Sequence, residues 1–301
     1  YLAGGGPVRL PLPEIQIFGG GAHAARRIDI QDLMVMPLGA GNFDEALAMV
    51  AEVYRTAGEI MARRGRLSGV ADEGGWWPDF ASNEEALETL LQAIDVAGYH
   101  APSEMAISLD IAASELGSRG RYRLGLEGRE LDREEWLATL FGWVRSYPIV
   151  SVEDPVGEDD AEGMRAFTVE VGGRIQVIGD DFLVTSAERV RKAAQAGSCN
   201  AVLLKPNQAG TLTETRRALE AAREAHWGTV MSARSGESED VTVVHLAVGW
   251  NAGQLKVGSF SRSERMAKWN EALRIEAELG ADARFAGRDA LPEGVGGSGS
   301  R

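Results

Sequence analysis

Six charged side chains each close a short apolar run, and together they set the rhythm of this chain. Asp110 ends AISLD, Glu153 ends PIVSVE, Asp180 ends IQVIGD and Lys205 ends NAVLLK, while Arg234 follows GTVMSA and Lys256 ends GQLK. Between successive runs lies about one βα unit of amphipathic sequence. Strands that alternate with helices imply a parallel sheet, and enough of them imply closure into a barrel. In a parallel barrel the C-terminal strand ends share one rim, where active sites sit. Three carboxylates, two lysines and an arginine are thereby predicted to meet in one pocket.

The strand and helix signals extend this pattern over the whole chain. PLPEIQIF (residues 11–18) and IDIQDLMVM (28–36) read as two strands joined by Gly19, Gly20, Gly21 and His23. A helix is predicted from Phe43 to about Arg64, capped by Asn42, and another from Ser82 to about Gly98 with the box Ser82-Asn83-Glu84-Glu85. Six further strands end near Asp110, Glu153, Asp180, Lys205, Ser232 and Lys256. Helices follow at about 133–146, 159–170, 186–196, 211–225, 239–249 and 262–279. AVLL and IQVI are continuous apolar runs, as expected of strands covered on both faces. The expected fold is α/β, an eight-stranded barrel over residues 1–279 that opens with a ββαα unit. A linker-like tail is predicted from Gly280 to Arg301, ending in GVGGSGSR.

Charge and composition narrow the classes of partner. With 301 residues, 44% of them hydrophobic, the chain can bury one large core or two small ones. A net charge of −14 argues against nucleic acid or an anionic membrane as partner. No apolar stretch approaches the ~18 residues of a membrane span. The single cysteine, Cys199, precludes an intramolecular disulfide and fits a reducing, cytoplasmic setting.

The residue types at the rim specify a chemistry. Asp110, Glu153 and Asp180 are hard oxygen ligands, which suit Mg²⁺ or Mn²⁺ and disfavour zinc. Any one of them alone reads equally well as a helix cap or an ion-pair partner, and each lysine as a solvated charge. Their recurrence at successive strand ends favours a metal site beside a base.

The longer motifs carry a resemblance. SLDIAASE, SVEDP, IGDDFLVT, LLKPNQAGTLTET, RSGESED and NAGQLKVGS, with LPLPEIQIFGGGAHA, DIQDLMVMPLGA and ADEGG upstream, resemble the catalytic barrel of the enolase (phosphopyruvate hydratase) family over roughly residues 8–279. The resemblance implies a Mg²⁺-dependent hydro-lyase, a glycolytic dehydration in the type reaction, with two Mg²⁺ ions per site. It implies Asp110, Glu153 and Asp180 as metal ligands, Lys205 as the base that removes the proton α to the substrate carboxylate, and Glu73 as the acid that helps the β-hydroxyl leave. Lys256 matches the residue that pairs with the substrate carboxylate. Arg234 and Ser235 match the phosphate-binding pair, and His23, Gln31 and Asp32 match residues around the substrate. The resemblance also implies a homodimer or dimer-built octamer. A smaller N-terminal α+β domain, whose mobile loop helps hold the second metal, is implied too and is absent from this chain.

The chain departs from the family pattern at specific points. Ala233 stands where the family motif SHRSGE has histidine, and Asp32 shortens by one methylene a carboxylate that works with Glu73. WWPD follows ADEGG where a smaller sequence is usual. Trp76, Trp77 and Ala233 are together expected to reshape the pocket for a different 2-substituted 3-hydroxy acid. The enolase-like enzymes that form carboxyphosphonoenolpyruvate are the nearest precedent. The residues also admit a catalytically weak binding protein that keeps the barrel.

Overall fold

The barrel opens on an antiparallel pair of strands. In the computed structural model, which describes residues 1–295, β1 (Leu12–Gly19) turns back through a short connection into β2 (Asp32–Met36). That connection has no room for a crossover helix, so the two strands pair antiparallel. Then come α1 (Phe43–Arg63), α2 (Asn83–Val96) and β3 (Ala106–Asp110), and β3 again runs antiparallel to β2. An excursion of three short strands follows, β4 (Gly117–Ser118), β5 (Arg121–Leu124) and β6 (Arg129–Asp132), which form their own antiparallel sheet.

From there the chain alternates. In order it forms α3 (Arg133–Ser146), β7 (Ile149–Glu153), α4 (Ala161–Val171), β8 (Gln176–Gly179), α5 (Ala187–Ala196) and β9 (Ala201–Leu204). A single turn α6 (Pro206–Ala209), α7 (Leu212–Glu224), β10 (Gly228–Ser232), α8 (Thr242–Gly249), β11 (Gln254–Lys256) and α9 (Ser263–Leu279) complete it. Eight strands close a barrel in the ring order β1, β11, β10, β9, β8, β7, β3, β2. The expected barrel is therefore present, with one strand, β2, antiparallel to both neighbours. The sequence pattern missed the β4–β6 sheet, whose strands are too short to show alternation.

Side chains at the helix starts do the work that local sequence assigns to them. Asn42 accepts from the Glu45 amide at 2.8 Å and Ser82 from the Glu85 amide at 3.1 Å. The box predicted at Ser82 closes one residue earlier, because the Glu85 carboxylate takes the Ala81 amide at 2.6 Å. A full capping box joins Asp132 and Glu135 at the start of α3.

The barrel interior is layered. Leu12, Met36, Leu38, Ala106 and Val150 form an apolar floor with Leu291 and Val295. Buried polar groups are linked in the barrel interior: Gln176 donates to Ser151 at 3.1 Å, Gln176 and Gln254 exchange bonds of 2.9 and 2.7 Å, and Ser108 donates to Glu14 at 3.2 Å. Burial pushes the Glu14 carboxyl up to about 7. Its register partner across the β1–β11 pair is Lys256. Outside the barrel, the helices lay apolar faces on the strands, with Trp136, Phe167 and Trp269 fully buried.

The tail expected from Gly280 is in fact part of the fold as far as Val295. Leu10 and Phe285 form a β-bridge, the Leu10 amide donates to Arg284 at 2.7 Å, and the Ala286 amide returns to Leu10 at 2.9 Å. The rest of the expected tail, 296–301, lies outside the described residues. Leu291 closes the floor, so truncating it should leave a cavity. Leu291→Ala is expected to lower the unfolding free energy by about 2 kcal/mol, measured as a drop in urea midpoint at unchanged slope. A change within error would show that the 280–295 segment contributes nothing to the core.

Candidate active site

Reversal of β2 is what assembles the site. Because β2 runs against the other strands, its first residue lies at the rim where β1 and β3 end, and Asp32 is in register with Gly19 and Asp110. Asp110 and Glu153 end β3 and β7, which are neighbours in register. Asp180 follows β8, Lys205 follows β9 and Lys256 ends β11. All six are buried except Lys205, whose side chain is 15% exposed.

At the centre stands the Lys256 ammonium. It lies 2.8 Å from Asp110 Oδ2, 2.8 Å from Glu153 Oε2 and 3.4 Å from Asp32 Oδ2. Burial works against its charge, but Asp110, Glu153 and Asp32 outweigh it and hold the ammonium well above its ordinary range. Burial, together with the nearby Asp110 charge, pushes Glu153 well up. Gln31 donates to Asp110 at 3.2 Å. Next to this cluster Lys205 bonds Asp180, and Gln208 reaches the other Asp180 oxygen at 3.5 Å. Burial favours neutral Lys205, yet Asp180 and Glu153 more than compensate and keep it raised. The depression expected of a base at this position therefore requires those carboxylates to be neutralised.

A second chain of contacts runs along the β2 side. His23 Nδ1 lies 3.0 Å from Asp32 Oδ1, which also accepts from Gln16, and His23 Nε2 lies 4.0 Å from Glu73 Oε1. Gln16 in turn accepts from the Gly75 amide at 2.7 Å, tying the Glu73 loop to β1. Gly74 is required there: its φ is +92°, and a Cβ would lie 2.4 Å from the Ser261 carbonyl oxygen. Burial and the Asp32 charge raise the Glu73 carboxyl above its ordinary value.

Arg234 and Ser235 lie exposed in the loop after β10, joined to the cluster through Arg265. That guanidinium donates to the Arg234 carbonyl at 2.8 Å and the Ser235 carbonyl at 2.6 Å, and sits 3.9 Å from Glu73. Sequence reasoning missed Arg265, Gln16, Gln208 and Asp154. Asp154 accepts the Asp180 and Asp181 amides at 2.9 and 2.7 Å. Its adjacency to Glu153 in SVEDP was the available signal. Trp76 corrects an expectation. Its ring stacks on Tyr54 at 4.6 Å and donates to the Tyr54 carbonyl at 2.8 Å, so it packs against α1 rather than reshaping the pocket.

The donor set fits a hard divalent cation. Asp110, Glu153 and Asp180 come from three strands adjacent in the ring, and the buried Glu153 Oε1 has no hydrogen-bond partner. The three do not yet meet at one point, since Lys256 stands between two of them and Lys205 holds the third. Among the described residues, two different trios of ligand-type atoms do lie within 4.8 Å of one another, His23-Asp32-Glu73 and Asp154-Asp180-Asp181. Both are weaker candidates. The first is already an ion-paired chain, and in the second both Asp154 oxygens are taken by backbone amides.

The His23–Asp32 pair makes a pH prediction. Burial disfavours the imidazolium, but the Asp32 charge and hydrogen bond overcome it and lift His23 to about 9. That lies above the free value of 6.5, so the stability it contributes is complete below about pH 6.5 and lost as pH rises through about 9. The wild type should lose stability to urea across that window, and His23→Gln should not. Equal pH slopes for the two proteins would exclude the charged pair.

Comparison with known proteins agrees with this geometry. The family model described as "Enolase, C-terminal TIM barrel domain" matches residues 7–293. The chain is 50% identical over 288 residues to "Enolase 1" of Desulfitobacterium hafniense (strain Y51), covering 95% of this chain and 66% of that relative. The chain thus spans about two thirds of the length of that relative. Matched across nearly its whole length by that model and by a relative of such identity, the chain belongs to the enolase family.

Proposed function

We propose that this barrel is the catalytic domain of a Mg²⁺-dependent hydro-lyase. It would dehydrate a phospho- or phosphono-substituted 3-hydroxy acid, 2-phosphoglycerate or a close analogue. The observation that supports this best is the placement of Lys205 and Glu73. Lys205 follows β9, and Glu73 packs beside the start of β2, the strand opposite β9 in the ring. Asp110, Glu153 and Lys256 lie between them. A proton can then leave one face of a bound substrate while hydroxide leaves the other.

In this reading Lys205, as a free amine, takes the proton α to the substrate carboxylate. The electron pair moves into that carboxylate as an ene-diolate, and Lys256 pairs with its growing charge. Electrons then return to break the bond to the β-hydroxyl, and Glu73 supplies the proton that turns it into water. Asp110, Glu153 and Asp180 would hold the divalent cation, which supplies positive charge near the carboxylate. Enolase-superfamily sites are a recognised instance of a lysine or histidine base working beside Mg²⁺. Occupation of these carboxylates would also remove the charges that raise Lys205. Arg234, with Ser235, would grip the phosphoryl or phosphonyl group bidentately. By resemblance to its family, the full protein is proposed to act in the cytoplasm as a homodimer or an assembly of dimers.

Three measurements test the reading. With Mg²⁺, the protein should turn over 2-phosphoglycerate or a phosphono analogue from a panel at ordinary enzyme rates, ~10 s⁻¹ on its true substrate. Chelation of the metal should abolish this. Lys205→Met should also lose exchange of the substrate α-proton with D₂O, whereas Glu73→Gln should keep exchange and lose dehydration. Exchange at the wild-type rate in Lys205→Met would overturn the assignment of the base.

Ala233 and Asp32 bear on which acid is used. Restoring one preorganised donor with Ala233→His is expected to raise turnover of 2-phosphoglycerate on the order of 10²-fold relative to the native substrate. Adding Asp32→Glu should exceed the sum of the two effects, because both line one pocket. An unchanged ratio of kcat/KM in the single and double variants would move the determinant elsewhere.

A further inference from the structure

Two fully buried cations on one helix hold the anion-binding loop from beneath. Arg265 and Lys268 are both 0% exposed, although Arg265 lies in the first turn of α9, where the helix dipole disfavours positive charge. A guanidinium in that position requires strong partners. Its two terminal nitrogens take the Arg234 and Ser235 carbonyls at 2.8 and 2.6 Å, and Nη1 lies 3.9 Å from the Glu73 carboxylate. Gly258, at φ +94°, lets Arg265 approach the Glu73 backbone: a Cβ there would lie 2.7 Å from both Arg265 Cδ and the Glu73 carbonyl oxygen. Lys268 holds the far end of the loop, through the Ser238 carbonyl at 2.8 Å and the Glu237 carboxylate at 3.2 Å, and also donates to the Glu264 carbonyl of its own helix at 3.0 Å. Glu237 also accepts the Arg234 amide at 2.9 Å.

We infer that Arg265 is a positioning residue that joins the anion-binding loop at 234–238 to the carboxyl of Glu73, so that seating of the substrate's anionic group and placement of the acid are set by one side chain. The inference rests on the hydro-lyase reading. Lysine cannot reproduce the function, because a single ammonium cannot span two carbonyls and a carboxylate in the planar fork that Arg265 uses.

The test compares Arg265→Lys with Lys268→Met, using 2-phosphoglycerate or whichever panel compound the wild type accepts. Lys268→Met, which touches the loop and its own helix but not Glu73, should raise KM about 10-fold at near-constant kcat. Arg265→Lys should raise KM and also lower kcat by 10–100-fold, the order of loss expected from misplacing a reacting group by about 1 Å. Glu73 is faced by Asp32, His23, Arg265 and Lys256, and Arg265 lies 3.9 Å and His23 4.0 Å from its carboxylate. The alkaline limb of the pH–kcat profile should therefore shift in Arg265→Lys and stay in place in Lys268→Met. Wild-type kcat and an unmoved limb in Arg265→Lys would overturn the inference. If no panel compound is turned over, the hydro-lyase reading fails separately. The coupling is then read in the wild type by hydrogen–deuterium exchange with saturating inorganic phosphate, which also serves if Arg265→Lys does not fold. Slower exchange both at 234–238 and at 73–75 supports the coupling, and slowing at 234–238 alone, or at neither segment, overturns it.

Discussion

The ammonium of Lys256, shared by Asp110, Glu153 and Asp32, is the contact on which the barrel mouth depends. Three carboxylates removed from water within reach of one another would repel strongly, and burial alone raises the free energy of each charged form. One buried ammonium lying 2.8 to 3.4 Å from all three converts that repulsion into a network. Two of these three carboxylates, Asp110 and Glu153, are hard oxygen donors of the kind that suits a divalent ion. Charge that is costly to bury is retained where it acts.

Around this centre the site divides into two walls. On one, Asp180 and Glu153 keep Lys205 charged until their own charge is neutralised. On the other, Glu73 is raised by burial and Asp32, and His23 is lifted to about 9 by the same aspartate. Asp32 therefore contacts both the central ammonium and His23, so a change of side-chain length at this position bears on both. Ala233, just beyond β10, is buried at the same rim with its amide bonded to the Lys256 carbonyl at 3.0 Å. The two departures from the family pattern thus sit on either side of Lys256.

Much of this was legible in the chain. Strand-end residues are readable because a strand covered on both faces must be continuously apolar, so the first charged residue marks the rim. Asp110, Glu153, Asp180, Lys205 and Lys256 were found that way, and helix starts at Asn42 and Ser82 followed from cap chemistry. The family motifs placed Glu73, His23 and Gln31, which periodicity would not single out. What escaped has a common cause. Arg265 and Gln16 lie within regular amphipathic or alternating patterns, where a polar residue reads as solvent-facing, and Gln208 lies in a single turn that has no periodicity to read; only the packed fold shows what they contact.

Sequence by itself determined the alternation of elements, the charged rim and the family, because periodicity, caps and motifs are local properties. Tertiary structure alone decided that β2 runs backwards and so brings Asp32 to the rim. It showed that the 280–295 segment seals the barrel floor, since burial of Leu291 depends on strands distant in sequence. It also decided that the expected ligand trio is parted by lysines, and that Trp76 supports α1. Each of these depends on what lies across a gap in space, which no run of neighbouring residues records.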